Sequence, residues 1–212
     1  MKSSLNERLL AFCTEMQGEF GLIPEVRQQE LAELGAYIAQ KIQSGQAAQL
    51  TVICTHNSRR SHIGQLWLAA AATYYGIEGL AAFSGGTEAT AFNPRAVAAM
   101  RRAGFDISGP EAETNPRYTA LMGAGLPELV LFSKRYDDPE NPQQSFAAIM
   151  VCSDADEACP FIPGAEKRFA IRYDDPKASD GTPQEAATYD ERCRQIGREM
   201  LFAMWCVAEQ SK

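Results

Sequence analysis

Cys54 and Arg60 are separated by five residues, in the run Cys54-Thr55-His56-Asn57-Ser58-Arg59-Arg60-Ser61. A thiol and a planar guanidinium at opposite ends of a short loop suit nucleophilic attack on a tetrahedral oxyanion, because the guanidinium fork matches two oxygens in one plane. If the loop wraps around one centre at a helix N-terminus, the backbone N–H groups of Thr55, His56, Asn57, Ser58, Arg59 and Arg60 cradle the remaining oxygens. The same positive field favours the thiolate of Cys54, and the Ser61 hydroxyl is spaced to hydrogen-bond it and help it leave. Asn57 tolerates the left-handed backbone that so tight a loop requires. The plain alternative is a structural cysteine followed by a basic helix start; the order strand, loop, helix around the motif argues against it.

Two further cysteines, Cys152 and Cys159, stand seven apart in an acidic stretch. They are not the short C-x-x-C of a zinc knuckle, and the histidines, His56 and His62, lie far away in sequence, so no metal site is expected. On the residues alone, a core thiol at a strand end and a separate loop thiol is the favoured reading. Thiol–disulfide exchange through a mobile loop is the other.

These groups need elements to position them. Leu50-Thr51-Val52-Ile53 is short, apolar and β-branched, a buried strand running into Cys54. A helix follows, with Ile63, Leu66, Trp67, Ala70, Ala71 and Tyr74 on one face, closed by Gly76 and Gly79; Leu80–Phe83 is the next strand. Strand, helix, strand over about 30 residues is the βαβ unit of a parallel sheet. Asn93-Pro94 starts another helix. Residues 129–132, 147–151 and 168–171 read as strands, 104–107 as a short extended piece and 109–127 as holding one weak helix. The turn-rich Asp137–Pro142 suggests a hairpin or bulging loop between the strands flanking it. Thr182, Pro183 and Glu185 spell a capping box for a last helix. Residues 5–45 read as helices. The fold class is therefore α/β, doubly wound around a parallel sheet, with an N-terminal helical extension at 1–48 and the main domain at 49–212.

At 212 residues the chain is one domain, or one with an appendage. About 70% of the surface of an unfolded chain of this size can be buried, enough for a full core. Hydrophobic residues are 45% and charged residues 22%, which excludes bulk disorder. With 20 Lys and Arg against 27 Asp and Glu, the net charge is −7. A chain so acidic is a poor sequence-independent binder of nucleic acid or of an anionic membrane, so an anion must be held by a local site. Neither a signal peptide nor an apolar run near the ~20 residues of a membrane span is evident, and a cytoplasmic location is expected. There the six cysteines are mostly reduced, and a disulfide is more readily catalytic than structural.

The 54–61 run resembles the phosphate-binding loop shared by low-molecular-weight protein tyrosine phosphatases and thioredoxin-coupled arsenate reductases. Phe83–Glu88, Phe92–Val97 and Asp174-Asp175-Pro176 are similar to the same families, so the resemblance covers about residues 49–209, with an insertion within 109–146. It implies a flavodoxin-like parallel sheet of the low-molecular-weight phosphatase kind, with Asp175, the residue before proline, as general acid. Cys152-Ser153-Asp154-Ala155-Asp156-Glu157-Ala158-Cys159-Pro160 resembles the redox segment of the reductases. Lys177-Ala178-Ser179 stands where the phosphatases usually carry aromatic residues. Both differences imply arsenate reduction by a relay of Cys54, Cys152 and Cys159, regenerated by thioredoxin and needing no organic cofactor. Phosphate-ester hydrolysis through a phosphocysteine is the alternative, and a non-catalytic oxyanion sensor a third reading. Two departures are noted. Arg59 stands where many reductases carry a cysteine that the relay does not require. Gln65 replaces a glutamate that helps some members bind potassium, although Asn57 and Ser84 match.

Overall fold

The computed structural model describes residues 4–110, 114–158 and 161–210. Its centre is a parallel sheet in the order β2-β1-β6-β7, formed by β1 (Ala48–Cys54), β2 (Leu80–Gly86), β6 (Phe146–Met150) and β7 (Ala165–Ala170). Helices cover both faces, as burial on both sides of parallel strands demands. All five residues of β6 are buried, and so are six of the seven in β1.

The parallel register sets Cys54 opposite Gly86 and Ile53 opposite Met150, so the C-terminal ends of three strands meet at one edge. That is where ligands bind in open α/β sheets. From this edge α3 (Arg60–Tyr75) runs back under the sheet, buried nearly all round. The long α6 (Glu185–Gln210) packs against α3, α4 (Pro94–Ala103), α2 (Glu25–Gln43) and α1 (Glu7–Gln17). The N-terminal helices share the main core: Leu9, Met16, Leu31, Leu34 and Ile38 are fully buried beside it. Phe12 of α1 stacks on Trp67 of α3 at 5.6 Å. No helix of the described residues is long and apolar enough to cross a membrane.

Three local expectations are corrected. Among the described residues of 109–127 there is no weak helix. Tyr118–Leu121 is β4, the middle strand of a second, antiparallel sheet with β3 (Asp106–Ser108) and β5 (Leu129–Leu131). Gly and Pro break any helical run there, and the alternating burial of β4 has the strand period. Second, β5 and β6 do not form a hairpin. β5 pairs with β4, and the 132–145 segment crosses back over the main sheet, where Gly86 N–H donates to Lys134 O at 2.9 Å and Tyr136 N–H to Gly86 O at 2.9 Å. Third, Thr182 does not cap α6. Its hydroxyl donates to Ser179 O at 2.7 Å in the preceding 3-10 turn, and Glu185 accepts instead from Gly181 N–H at 2.7 Å.

Candidate active site

Cys54 ends β1 and α3 begins at Arg60, so the intervening loop closes in five residues. Asn57 takes the left-handed conformation this needs, with φ 44°. Its side chain braces the loop twice: Nδ2 donates to Ser61 Oγ at 2.9 Å, and Oδ1 accepts Lys134 N–H at 2.9 Å. Ser61 Oγ lies 3.1 Å from Cys54 Sγ. Because Asn57 occupies an acceptor site of Ser61, the serine proton is free to point at the sulfur, and a donor there stabilises a thiolate.

The carbonyls on the outside of the loop are taken by neighbouring segments. Thr87 N–H donates to Cys54 O at 3.2 Å, Glu88 N–H to Thr55 O at 2.8 Å and Asn93 N–H to Ser58 O at 2.8 Å. His56 O accepts from Thr90 Oγ1 at 3.2 Å and Ser133 Oγ at 2.9 Å. Carbonyls turned outward leave the inner side of the loop to its N–H groups, the geometry of an anion nest. Gly86 permits this approach: a Cβ there would sit 2.3 Å from Glu88 O and 2.6 Å from Asn57 N. Gly86→Ala is expected to cost about 1–3 kcal/mol of stability and to lower oxyanion affinity, because backbone must move. Thermal unfolding and a phosphate titration check it.

Arg60 is buried, with Nη2 2.6 Å from Asp175 Oδ2 and Nη1 donating to Tyr173 O at 2.8 Å. The aspartates before Pro176 differ sharply. The Asp174 side chain is 97% exposed and faces Arg192 at 3.6 Å, whereas Asp175 is 35% exposed and turned onto Arg60. Arg59 Nε donates to Tyr189 OH at 2.9 Å and lies 3.9 Å from Asp175 Oδ1, while its Nη2 lies 3.7 Å from Asp180. The His56 side chain is half exposed, with Nε2 3.7 Å from Glu88. Ser58 Oγ donates to Ala91 O at 2.7 Å.

Cys152 follows β6 by two residues. Val151 N–H donates to Ile53 O at 2.9 Å, and this pairing sets buried Cys152 beside the loop, its Sγ 3.5 Å from Thr55 Oγ1. The short α5 (Ser153–Ala158) comes next, tied by buried Asp156 to Arg168 and Arg172. Cys159 lies outside the described residues. Three other thiols lie on α1 and α6. Burial pushes Cys13 and Cys193 up to about 12 and raises Cys206, so they are poor nucleophiles at neutral pH.

His62 is fully buried, 4.2 Å from the Phe92 ring, and burial first, then the charge of Lys134, lowers its pKa to about 3. It is neutral and structural. Of the residues that the resemblance links to potassium, Asn57 Oδ1 accepts Lys134 N–H, Ser84 Oγ faces His62 Nδ1 at 3.2 Å, and Gln65 Nε2 donates to Ala82 O at 3.2 Å while its Oε1 is buried without a hydrogen-bond partner among the described residues. Sequence reasoning missed Tyr173, Lys134, Tyr189 and Asp180, whose parts here are set by distant contacts that no local pattern announces.

No family model matches the chain. It is 32% identical over 149 residues to the arsenate reductase of Bacillus licheniformis, covering 70% of this chain and 88% of that protein. The arsenate reductase of Bacillus subtilis is 30% identical over the same shares. Among solved structures, a low-molecular-weight phosphotyrosine phosphatase from Vibrio cholerae superposes with a TM-score of 0.52 at 15% identity, covering 78% of this chain and 100% of that one. A YwlE mutant from Bacillus subtilis gives 0.51 at 14% identity, covering 78% and 99%. These structural likenesses establish the fold.

Proposed function

This chain belongs to the arsenate reductase family, and from that premise we propose a three-cysteine reduction of arsenate to arsenite. Arsenate sits in the 54–61 loop, held by the backbone N–H groups and by Arg60. The Cys54 thiolate attacks arsenic, forming an S–As bond; the departing hydroxide takes a proton from Asp175 and leaves as water. Cys152 then attacks Cys54 Sγ. The S–As electron pair passes to arsenic, which leaves as arsenite, and a 54–152 disulfide remains. Cys159 attacks Cys152, restoring the Cys54 thiolate and moving the oxidised pair to 152–159. A thioredoxin dithiol reduces that pair, which fits a cytoplasmic setting with its reduced thiol pool.

The observation that carries this reading is the buried Cys152 thiol against Thr55, next to the proposed nucleophile. Ester hydrolysis has no use for a second thiol there. Cys152→Ser and Cys159→Ser should each stop multiple-turnover arsenate reduction with thioredoxin and NADPH while sparing hydrolysis of p-nitrophenyl phosphate. Cys159→Ser should still release one arsenite per enzyme and trap a 54–152 disulfide, visible by non-reducing peptide mapping. If arsenate leaves the thiols of 152 and 159 free in the wild-type protein, the relay fails and phosphatase chemistry takes its place.

A further inference from the structure

Arg27 lies on α2, outside the 49–209 stretch that carries the family resemblance, yet its guanidinium reaches the segment bearing the proposed acid. Nη2 donates to Arg172 O at 2.7 Å, and the guanidinium carbon lies 5.6 Å from the centre of the Tyr173 ring. The remaining nitrogens anchor it: Nη1 is 2.7 Å from Glu30 Oε2, and Nε 3.4 Å from Oε2 of Glu199, which is 2% exposed. Burial raises the pKa of Glu199, and the positive charge of Arg27 opposes that rise.

The Arg172–Tyr173 backbone is thus held at three points. Arg27 takes Arg172 O, Tyr173 N–H donates to Val151 O at 3.1 Å, and Arg60 takes Tyr173 O at 2.8 Å. Beyond it, the hold of Arg60 Nη2 on Asp175 is not permanent. An anion held side-on by Arg60 uses Nη2 together with Nε, which is buried without a hydrogen-bond partner among the described residues, and so competes with Asp175 while Nη1 stays on Tyr173 O. When the anion competes for Nη2 and Asp175 carries the proton it must donate, the Arg60–Asp175 ion pair weakens just when the acid must stay in place.

We infer that Arg27 is a positioning residue, which keeps the Arg172–Asp175 segment in register while Arg60 serves the oxyanion. This rests on the reading of Asp175 as the acid. Arg27 touches no reacting atom and acts through that segment.

Two measurements test it. Hydrogen–deuterium exchange, with saturating inorganic phosphate, should show faster exchange in the Arg172–Asp175 peptide of Arg27→Ala, with β1 and α3 unchanged. For arsenate, Arg27→Ala should lower kcat roughly tenfold and move KM less than about threefold, since misplacing a catalytic group falls on the chemical step. In an Asp175→Asn background the same change should cost less than about twofold, because the group it positions is already gone. Arg27→Lys keeps a cation beside Glu199 and safeguards the fold; lacking the planar fork, it should share the exchange and kcat effects. Unchanged exchange, or losses that multiply with Asp175→Asn, would overturn the inference. A wild-type protein that turns over no arsenate would sink the reductase reading instead, and the exchange experiment would still decide this one.

Discussion

Replacing Cys54 with serine is expected to abolish turnover of arsenate and of phosphate esters alike, while inorganic phosphate still binds with nearly wild-type affinity. The two halves of that result have separate causes. Attack requires a thiolate, and a serine hydroxyl has no comparable ionised fraction at neutral pH. Binding draws on the loop N–H groups and Arg60, and the substitution touches neither. Cys13 and Cys193 offer no substitute, since burial pushes them up to about 12 and they lie on α1 and α6. Steady-state assays with both substrates and a calorimetric phosphate titration make the test. Turnover within a few fold of wild type would mean that the nucleophile lies elsewhere.

The second large effect is expected at Arg60. Arg60→Lys should lower kcat/KM for arsenate by about 10²–10³, or about 2.7–4 kcal/mol, the cost of losing a donor to transition-state charge. An ammonium keeps the charge but cannot meet two oxygens in one plane. It also gives up the paired contacts with Asp175 Oδ2 and Tyr173 O. Arg59→Lys should cost far less, because Arg59 spends its Nε on Tyr189 OH and faces Asp180. Equal losses at the two arginines, measured side by side, would show that the anion is clamped by the wrong residue in this account.

The parts of the site that were legible beforehand are those encoded by neighbours in sequence. An apolar strand, a five-residue loop and a helix start are contiguous, so residue type and spacing at 50–61 suffice to bring Cys54, Asn57 and Ser61 together and to start α3 at Arg60. The βαβ rhythm of the first parallel pair is equally local, whereas the preference for Asp175 over Asp174 came only from the family resemblance. Where competing local signals were weak, reading failed. The 109–127 stretch holds a strand, and Asp137–Pro142 belongs to a crossover instead of a hairpin turn, because short apolar runs do not state which sheet they join.

What only the tertiary structure decided is which distant residues meet. Cys152 reads as a core thiol until the parallel register of Ile53 with Met150 brings it to Thr55, nearly a hundred residues away in the chain. Lys134 and Ser133 brace the loop only because the 132–145 segment folds back beside β2, and Arg27 reaches the segment of the proposed acid only because α2 packs on α6. The physical reason is common to all of these. A strand or helix advertises its own apolar face through its period. The partner and register that bury this face are chosen by packing of the whole core, where many pairings satisfy the same pattern and one satisfies them all together.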